Sequence, residues 1–514
     1  MAPQPDAVRQ ASAAAARVPA PSHRVIGLNG RVNTATTSCQ PLARPGPPPP
    51  SSIGLKERIG WLCAVLLPLV VGVAVFAAGA PVPTALFAAI MAVTVTMWMF
   101  SLVDEFIPPL VALAATLFTG LAPPAVALGG FASSTLMTLL GVFALSAVMS
   151  GSGLTYRLML MLLRVIPDRP VWQQSALVLG GYALSPITPS GNNRLSLMLP
   201  LYRDMLEGLR LPVGGNAATA LMAATFSGAM LFSPMMSTSK SSNLVAVGLL
   251  PAQVQEQFMG LYWLLAAGVA AITCTVANAV ALRLLIPAEN PAPLDKARLT
   301  AQLGLLGPMT SQERVALTGF VAFLAGSATV SWHHVPAAYI AGAALAALLV
   351  SGVFSKQAFK QTLDWPMLFF LLGMDGLVQV MRYLGIDDAL GRVANTYLHV
   401  SGGLETFILV ALAVVLVVRI ALPVTAGMLV SAVMLLPVAQ AQGVHPWVCV
   451  FLAAMFSDIW FAPYQSSVWM QAVSAGLDQG IDAKGFLRHN MAMNVARVVA
   501  AYASIPWWKW LGLT

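Results

Sequence analysis

Ser185-Pro186-Ile187-Thr188-Pro189-Ser190-Gly191-Asn192-Asn193-Arg194 interrupts two apolar runs, Ala176 to Gly181 before it and Leu195 to Leu201 after it. Two prolines and a glycine in this stretch break any helix that enters it. The hydroxyls and amides that follow are costly at membrane depth unless they find partners. With flanks this apolar, the stretch reads as the polar tip of a re-entrant hairpin over 172–210. Unpaired N–H groups at the start of its second arm would offer an anion a cradle. A second apolar stretch, 404–440, breaks at Pro423 and Gly427 and reads as a second hairpin.

The rest of the chain supports a membrane setting. Of its 514 residues 58% are hydrophobic and only 9% charged, whereas soluble domains carry about 25% charged residues. A soluble enzyme of this size is excluded. Runs such as Trp61 to Gly79, Thr84 to Leu102 and Trp263 to Leu285 approach the roughly 20 residues a helix needs to cross hydrocarbon. The expected fold is an all-α membrane protein with about eleven transmembrane helices, near 61–79, 84–102, 109–123, 133–150, 217–250, 261–285, 314–331, 336–354, 365–383, 446–475 and 490–511, plus the two re-entrant hairpins. Residues 1–55, rich in Ala, Pro and Arg and ending near Pro47-Pro48-Pro49-Pro50, read as a disordered tail without the apolar core of a secretory signal. Residues 56–290 would hold scaffold helices and a first repeat, 291–313 a cytoplasmic linker, and 314–514 a second repeat.

The positive charges act as a topology signal rather than as a nucleic-acid surface. With a cytoplasmic N-terminus and both hairpins returning to the side they entered, the inside segments hold seven tail cations. They also hold thirteen more: Arg157, Arg164, Arg169, Arg203, Arg210, Arg283, Lys296, Arg298, Arg314, Lys356, Lys360, Lys484 and Arg488. Together these are 20 of the 27 Lys and Arg, as the positive-inside rule requires. A multi-pass protein of the inner membrane follows. The four cysteines, Cys39, Cys63, Cys274 and Cys449, are scattered and imply neither disulfides nor zinc.

Three blocks recur in order at an offset near 230 residues. Leu136 to Leu154 resembles Met367 to Leu384, 172–210 pairs with 404–440, and Phe226-Ser227-Gly228 through Ser233-Pro234 pairs with Phe456-Ser457-Asp458 through Ala462-Pro463. Five expected crossings separate the copies, so they would face opposite sides. Inverted repeats with broken helices mark secondary transporters, with the site near the midplane where the repeats meet.

Ser190-Gly191-Asn192, with Arg194 and Pro200 behind it, resembles the Ser-Asn-Thr hairpin motif of the divalent anion/sodium symporter family, within the ion transporter superfamily. Ser233-Pro234 to Asn243-Leu244 and Pro463-Tyr464-Gln465-Ser466-Ser467 are similar to that family's second polar motif in each repeat. Asp104-Glu105-Phe106-Ile107-Pro108 looks like its acidic-then-proline turn. The resemblance implies an elevator-type carrier, usually a homodimer, moving di- or tricarboxylates, in some branches sulfate, with sodium or by exchange. Two departures bear on sodium. Gly191 and Asn192 stand where Asn and Thr are usual, and the second tip, Pro423-Val424-Thr425-Ala426-Gly427, has no such triplet.

The candidate substrate-binding residues are Ser190, Gly191, Asn192, Asn193, Arg194, Thr425, Ser466 and Ser467. Thr188, Ser190 and Asn192 would hold a coupling Na+. Arg194, Lys240 and Arg419 lie at membrane depth, where an unpaired cation costs at least about 2.5–3.5 kcal/mol, so each needs an anionic partner or water. The substrate is one candidate; the alternative is a structural pair such as Arg419 with Asp458. Lys240 and Asn243, with Arg419, Asp375 and Asp458, form a coupling or charge-compensating set. Lys240 would take the place of sodium beside the first tip, and Asp375 or Asp458, if desolvated, would carry H+. No other cofactor is expected. A membrane-embedded enzyme has little support, as no nucleophile with its base is legible. A cation antiporter or a metalloid or inorganic oxyanion permease of the same superfamily is the stronger rival.

Overall fold

A computed structural model describes residues 55–514 except 168, 187, 210, 212–213, 259–260, 288–295, 387–388, 390–402 and 477–479. The expected disordered tail, 1–55, lies almost wholly outside the described residues, as does Arg392. Regular secondary structure among the described residues is helical throughout.

The chain opens with α1 (Leu55–Ala77), α2 (Val82–Phe100) and α3 (Ile107–Phe118), followed by α4 (Ser134–Gly151) and an amphipathic α5 (Leu154–Val165). Next come α6 (Pro170–Leu184), α7 (Gly191–Gly208), α8 (Asn216–Met230) and α9 (Ser241–Gly248). After α10 (Gly268–Leu285), α11 (Lys296–Leu306), α12 (Ser311–Ala328), α13 (Ala337–Val350) and α14 (Trp365–Tyr383), a similar order returns. It runs α15 (Gly403–Ala421), α16 (Val424–Ala441), α17 (Pro446–Ser457) and α18 (Ser467–Ser474), and α19 (Ala483–Ala503) and α20 (Ile505–Trp510) close the chain.

Among the described residues seven helices are long and apolar enough to cross a membrane, where eleven spans were expected. Five fall on expected spans and the other two are Gly403–Ala421 and Val424–Ala441, the arms of the expected second hairpin. Each arm, at 19 and 18 residues, is roughly 27–29 Å long at 1.5 Å per residue. By contrast α6, at 15 residues, reaches only about 22 Å. Expected spans 109–123 and 336–354 are shorter apolar helices, Ile107–Phe118 and Ala337–Val350, and 446–475 is broken into α17 and α18. Within the expected linker 291–313, the part from Lys296 on is largely helical and packs on α5.

The two helices that lead into the breaks form the core. In the α8 span 94% of the side chains are buried, against 17% in α1, and α17 is buried from Trp447 to Ser457. Helix α6 reaches α8 backbone to backbone: a Cβ on Gly181 would sit 2.2 Å from the carbonyl carbon of Gly228, and one on Gly228 would sit 2.5 Å from the Leu177 oxygen. Only glycine permits such an approach, the small-residue packing that brings membrane helices together where lipid supplies no hydrophobic drive. This contact fixes the first tip against the first broken helix.

Candidate functional site

Four interruptions, at 185–190, 231–240, Leu422–Pro423 and 458–466, meet around one cavity. Each ends in the start of a helix, and the first residues of all four new helices line it: Gly191 and Asn192 of α7, Ser241 and Ser242 of α9, Val424 and Thr425 of α16, Ser467 and Val468 of α18. The cavity, about 650 Å³ including its mouth, opens to the outside. The first N–H groups of a helix have no partner within it, and the aligned peptides add roughly half a positive charge at that end. Four such ends on one cavity approach +2 before any side chain is counted.

The local sequence explains each start. Ser190 caps α7, its Oγ accepting from the Asn193 N–H at 3.4 Å. Ser466 caps α18 in the same way, accepting from the Trp469 N–H at 3.2 Å. Pro423 precedes α16 in extended conformation. Gln465 keeps the second broken helix open, its Oε1 accepting from the N–H groups of Phe461 and Ala462 at 2.8 and 3.0 Å. The first tip is tied to the first broken helix by the Ser241 N–H, which donates to the Pro189 carbonyl at 2.9 Å.

Contacts also cross between the two halves. The Lys240 ammonium meets Asp458 Oδ1 at 2.7 Å, with the two side chains 13% and 1% exposed. Ser467 Oγ approaches Asn192 Oδ1 at 3.5 Å. A Cβ on Gly191 would lie 2.6 Å from Met230 Sδ and 3.3 Å from Val468, so the residue that departs from the motif stands where both halves crowd the tip.

Of the expected substrate-binding residues, Ser190, Gly191, Asn192, Thr425, Ser466 and Ser467 line the cavity; Asn193 and Arg194 do not. Asn193 is exposed. Arg194 is completely buried, and its guanidinium donates to the carbonyls of Ala229 at 2.7 Å and Thr188 at 2.6 Å, to the Ser239 carbonyl and to the Ser233 hydroxyl. With its donors held by the chain itself, it is a strut and not an anion ligand in this structure.

Arg419 does line the cavity but has the same habit. It donates to the carbonyls of Ser457 at 3.0 Å, Leu422 at 2.9 Å and Gln465 at 2.7 Å. Asp458, offered as an alternative partner for Arg419, pairs instead with Lys240. Asn243 is buried behind the cavity, its Nδ2 donating to Ser233 and Met236 at 2.8 and 3.1 Å. Asp375 sits on α14 among Ser133 and Gln379, away from the cavity. Thr188 Oγ1, Ser242 Oγ, Asn243 Oδ1 and Asp458 Oδ2 are buried without a protein partner.

Several lining residues escaped the sequence reading. Ser241, Ser242, Ser457 and Trp460 lie within quoted motifs, whereas Met230 and Met367 look like ordinary apolar residues until the fold brings them to the cavity.

A helical membrane protein with broken helices facing a shared polar cavity has the build of a solute carrier. Residues 49–514 match the sodium:sulfate symporter transmembrane region, and the chain belongs to that family, one of transporters and not of enzymes. It is similar to a membrane protein of Cupriavidus necator, 26% identical over 243 residues that make up 46% of this chain and 47% of that one. It is also similar to the inner membrane protein YbhI of Escherichia coli K12, 23% identical over 295 residues, 56% of this chain and 62% of the relative. The chain thus spans about half to three fifths of the length of these relatives. The crystal structure of the Alcanivorax borkumensis YdaH transporter covers 84% of this chain and 99% of its own at 16% identity, with a TM-score of 0.48.

Proposed function

We propose that the chain is a secondary transporter of small organic anions, di- or tricarboxylates, working by an elevator-type alternating-access mechanism in the inner membrane. The observation that carries this reading is the convergence of four helix N-termini on one cavity. Their combined dipole charge suits a dianion, since anions are stabilised at helix N-termini. The hydroxyls of Ser190, Thr425, Ser466 and Ser467 add donors for carboxylate oxygens. Lys240 contributes no free charge to the solute because Asp458 already pairs with it.

The doubled order of elements supports two inverted copies, with 172–210 and 404–440 as re-entrant hairpins whose tips meet at the midplane. The charge asymmetry of the loops supports a cytoplasmic N-terminus, and the description of the Escherichia coli relative supports the inner membrane. The family resemblance supports a homodimer. Lys240 stands beside the first tip where a coupling Na+ would sit, and we read its ammonium as that ion's replacement. The buried, partnerless oxygens of Thr188, Ser242 and Asn243 favour the other arrangement, a true Na+ site at the first tip including Ser190 and Asn192.

Uptake of labelled succinate, citrate and sulfate into proteoliposomes, with and without a sodium gradient, tests the whole reading. Saturable uptake of a dicarboxylate without sodium is expected. Uptake of sulfate alone would assign the protein to inorganic oxyanions, and strict sodium dependence would remove the role given to Lys240.

A further inference from the structure

A second built cavity lies away from the solute site, between α6 and α10, with a volume of about 570 Å³. Its walls are apolar, Val171, Val178 and Leu179 from α6 and Leu282 from α10, and Gln174 and Asn278 form a polar floor. One end is closed where the Tyr182 and Thr275 hydroxyls meet at 3.0 Å. At the other end stands Arg283, exposed and in no ion pair among the described residues. Arg169 immediately precedes α6, two residues before Val171 of the groove wall.

The electrostatics of this sector are one-sided. Helices α6, α10 and α19 carry no Asp or Glu, and α19 packs along α10. Asn278 Oδ1 lies 3.0 Å from His489 Nε2 of α19. Behind it, Arg497 is 5% exposed, with one hydrogen bond among the described residues, to Asn494 Oδ1 at 3.4 Å. Among the described residues no carboxylate pairs with Arg283 at the groove or with Arg497 behind it, and a cation in apolar surroundings calls for an anion, a carbonyl or water.

The groove opens sideways, onto a surface of exposed Trp172, Leu179, Ile272, Val276, Val280 and Leu284. Such a face meets acyl chains rather than water. Basic pockets between membrane helices hold lipid phosphates, and each nearby Arg strengthens that attraction. We propose that the groove between α6 and α10 is a site for an anionic phospholipid, with its phosphate at Arg283 and one acyl chain against Val178, Leu179 and Leu282.

The test uses the purified full chain in mild detergent. Bound lipid is counted by native mass spectrometry, and thermal unfolding is followed with phosphatidylglycerol, phosphatidylcholine or glycerol 3-phosphate added. One phosphatidylglycerol is expected to stay bound and to stabilise the protein where the other two do not. Arg283→Gln should weaken its retention about fivefold, and Ala279→Trp, at an exposed position inside the groove, should abolish it. Equal retention of phosphatidylcholine, stabilisation by glycerol 3-phosphate alone, or wild-type phosphatidylglycerol binding in both folded variants would each overturn the proposal.

Discussion

Arg194 and Arg419 are buried cations met chiefly by carbonyl oxygens, each joining a tip to a break of the neighbouring helix. An arginine fork can serve several carbonyls at once, whereas an ammonium cannot match its geometry. Arg194→Lys is therefore expected to destabilise the protein by about 2–4 kcal/mol in denaturant or thermal unfolding, while the folded fraction keeps its anion affinity; a loss of affinity without loss of stability would make Arg194 a ligand after all. The Lys240 and Asp458 pair gives a second expectation. Asp458→Asn alone leaves a nearly buried ammonium unpaired and should cost about 3 kcal/mol or more, and adding Lys240→Met should recover part of that loss in unfolding experiments. The sequence pointed to these cations from their apolar flanks and offered the substrate or a structural pair such as Arg419 with Asp458 as partners, not the backbone carbonyls that hold Arg194 and Arg419. Carbonyl oxygens exposed by a broken helix are excellent partners that leave no trace in residue identity.

Helix breaks were the most legible elements, because proline, glycine and clustered hydroxyls act locally and need no tertiary context. Span number was not legible in the same way: hydropathy marks an apolar helix but does not say how deep it goes, so both arms of 404–440, at 19 and 18 residues, fall within the 18–21 residues of the helices long enough to cross. Close helix contact was equally hidden, since Gly181 and Gly228 become informative only once α6 and α8 are seen to touch. Gly228→Leu should force those helices apart and abolish folding or leave an aggregating product on size-exclusion chromatography, while an exposed control such as Val350→Leu should not. A further element-level expectation concerns α5 and α12. Arg157 donates to Glu313 at 2.8 and 3.2 Å, and this pairing holds the Glu313 carboxyl below its ordinary value of 4.5. A carboxylate whose pKa is lower folded than unfolded contributes its stability in full above about pH 4.5 and loses it as pH falls toward the folded value. Glu313→Gln should thus destabilise the protein near pH 7 by about 2–3 kcal/mol and flatten the acid limb of its stability curve.

On the scale of the whole molecule, two halves that are far apart in sequence supply one cavity, and neither half encloses it alone. The repeated order of blocks made that meeting foreseeable, because similar breaks in the oppositely facing copies we propose would bring polar apices to the same depth. The sequence offered an N-terminal cradle at the first tip alone, whereas in the structure the starts of four helices line the cavity. The direct measurement is thermal unfolding of the detergent-solubilised chain across succinate, citrate and sulfate, repeated on Ser190→Ala/Ser466→Ala, which removes the capping hydroxyl from one tip and from the break opposite. A ligand that binds only the folded form raises apparent stability with concentration. Concentration-dependent stabilisation by at least one of these anions, lost or shifted to much higher concentration in the double variant, is the predicted result; no stabilisation by any anion, or equal stabilisation of wild type and variant, would contradict the assignment of this cavity as the anion site.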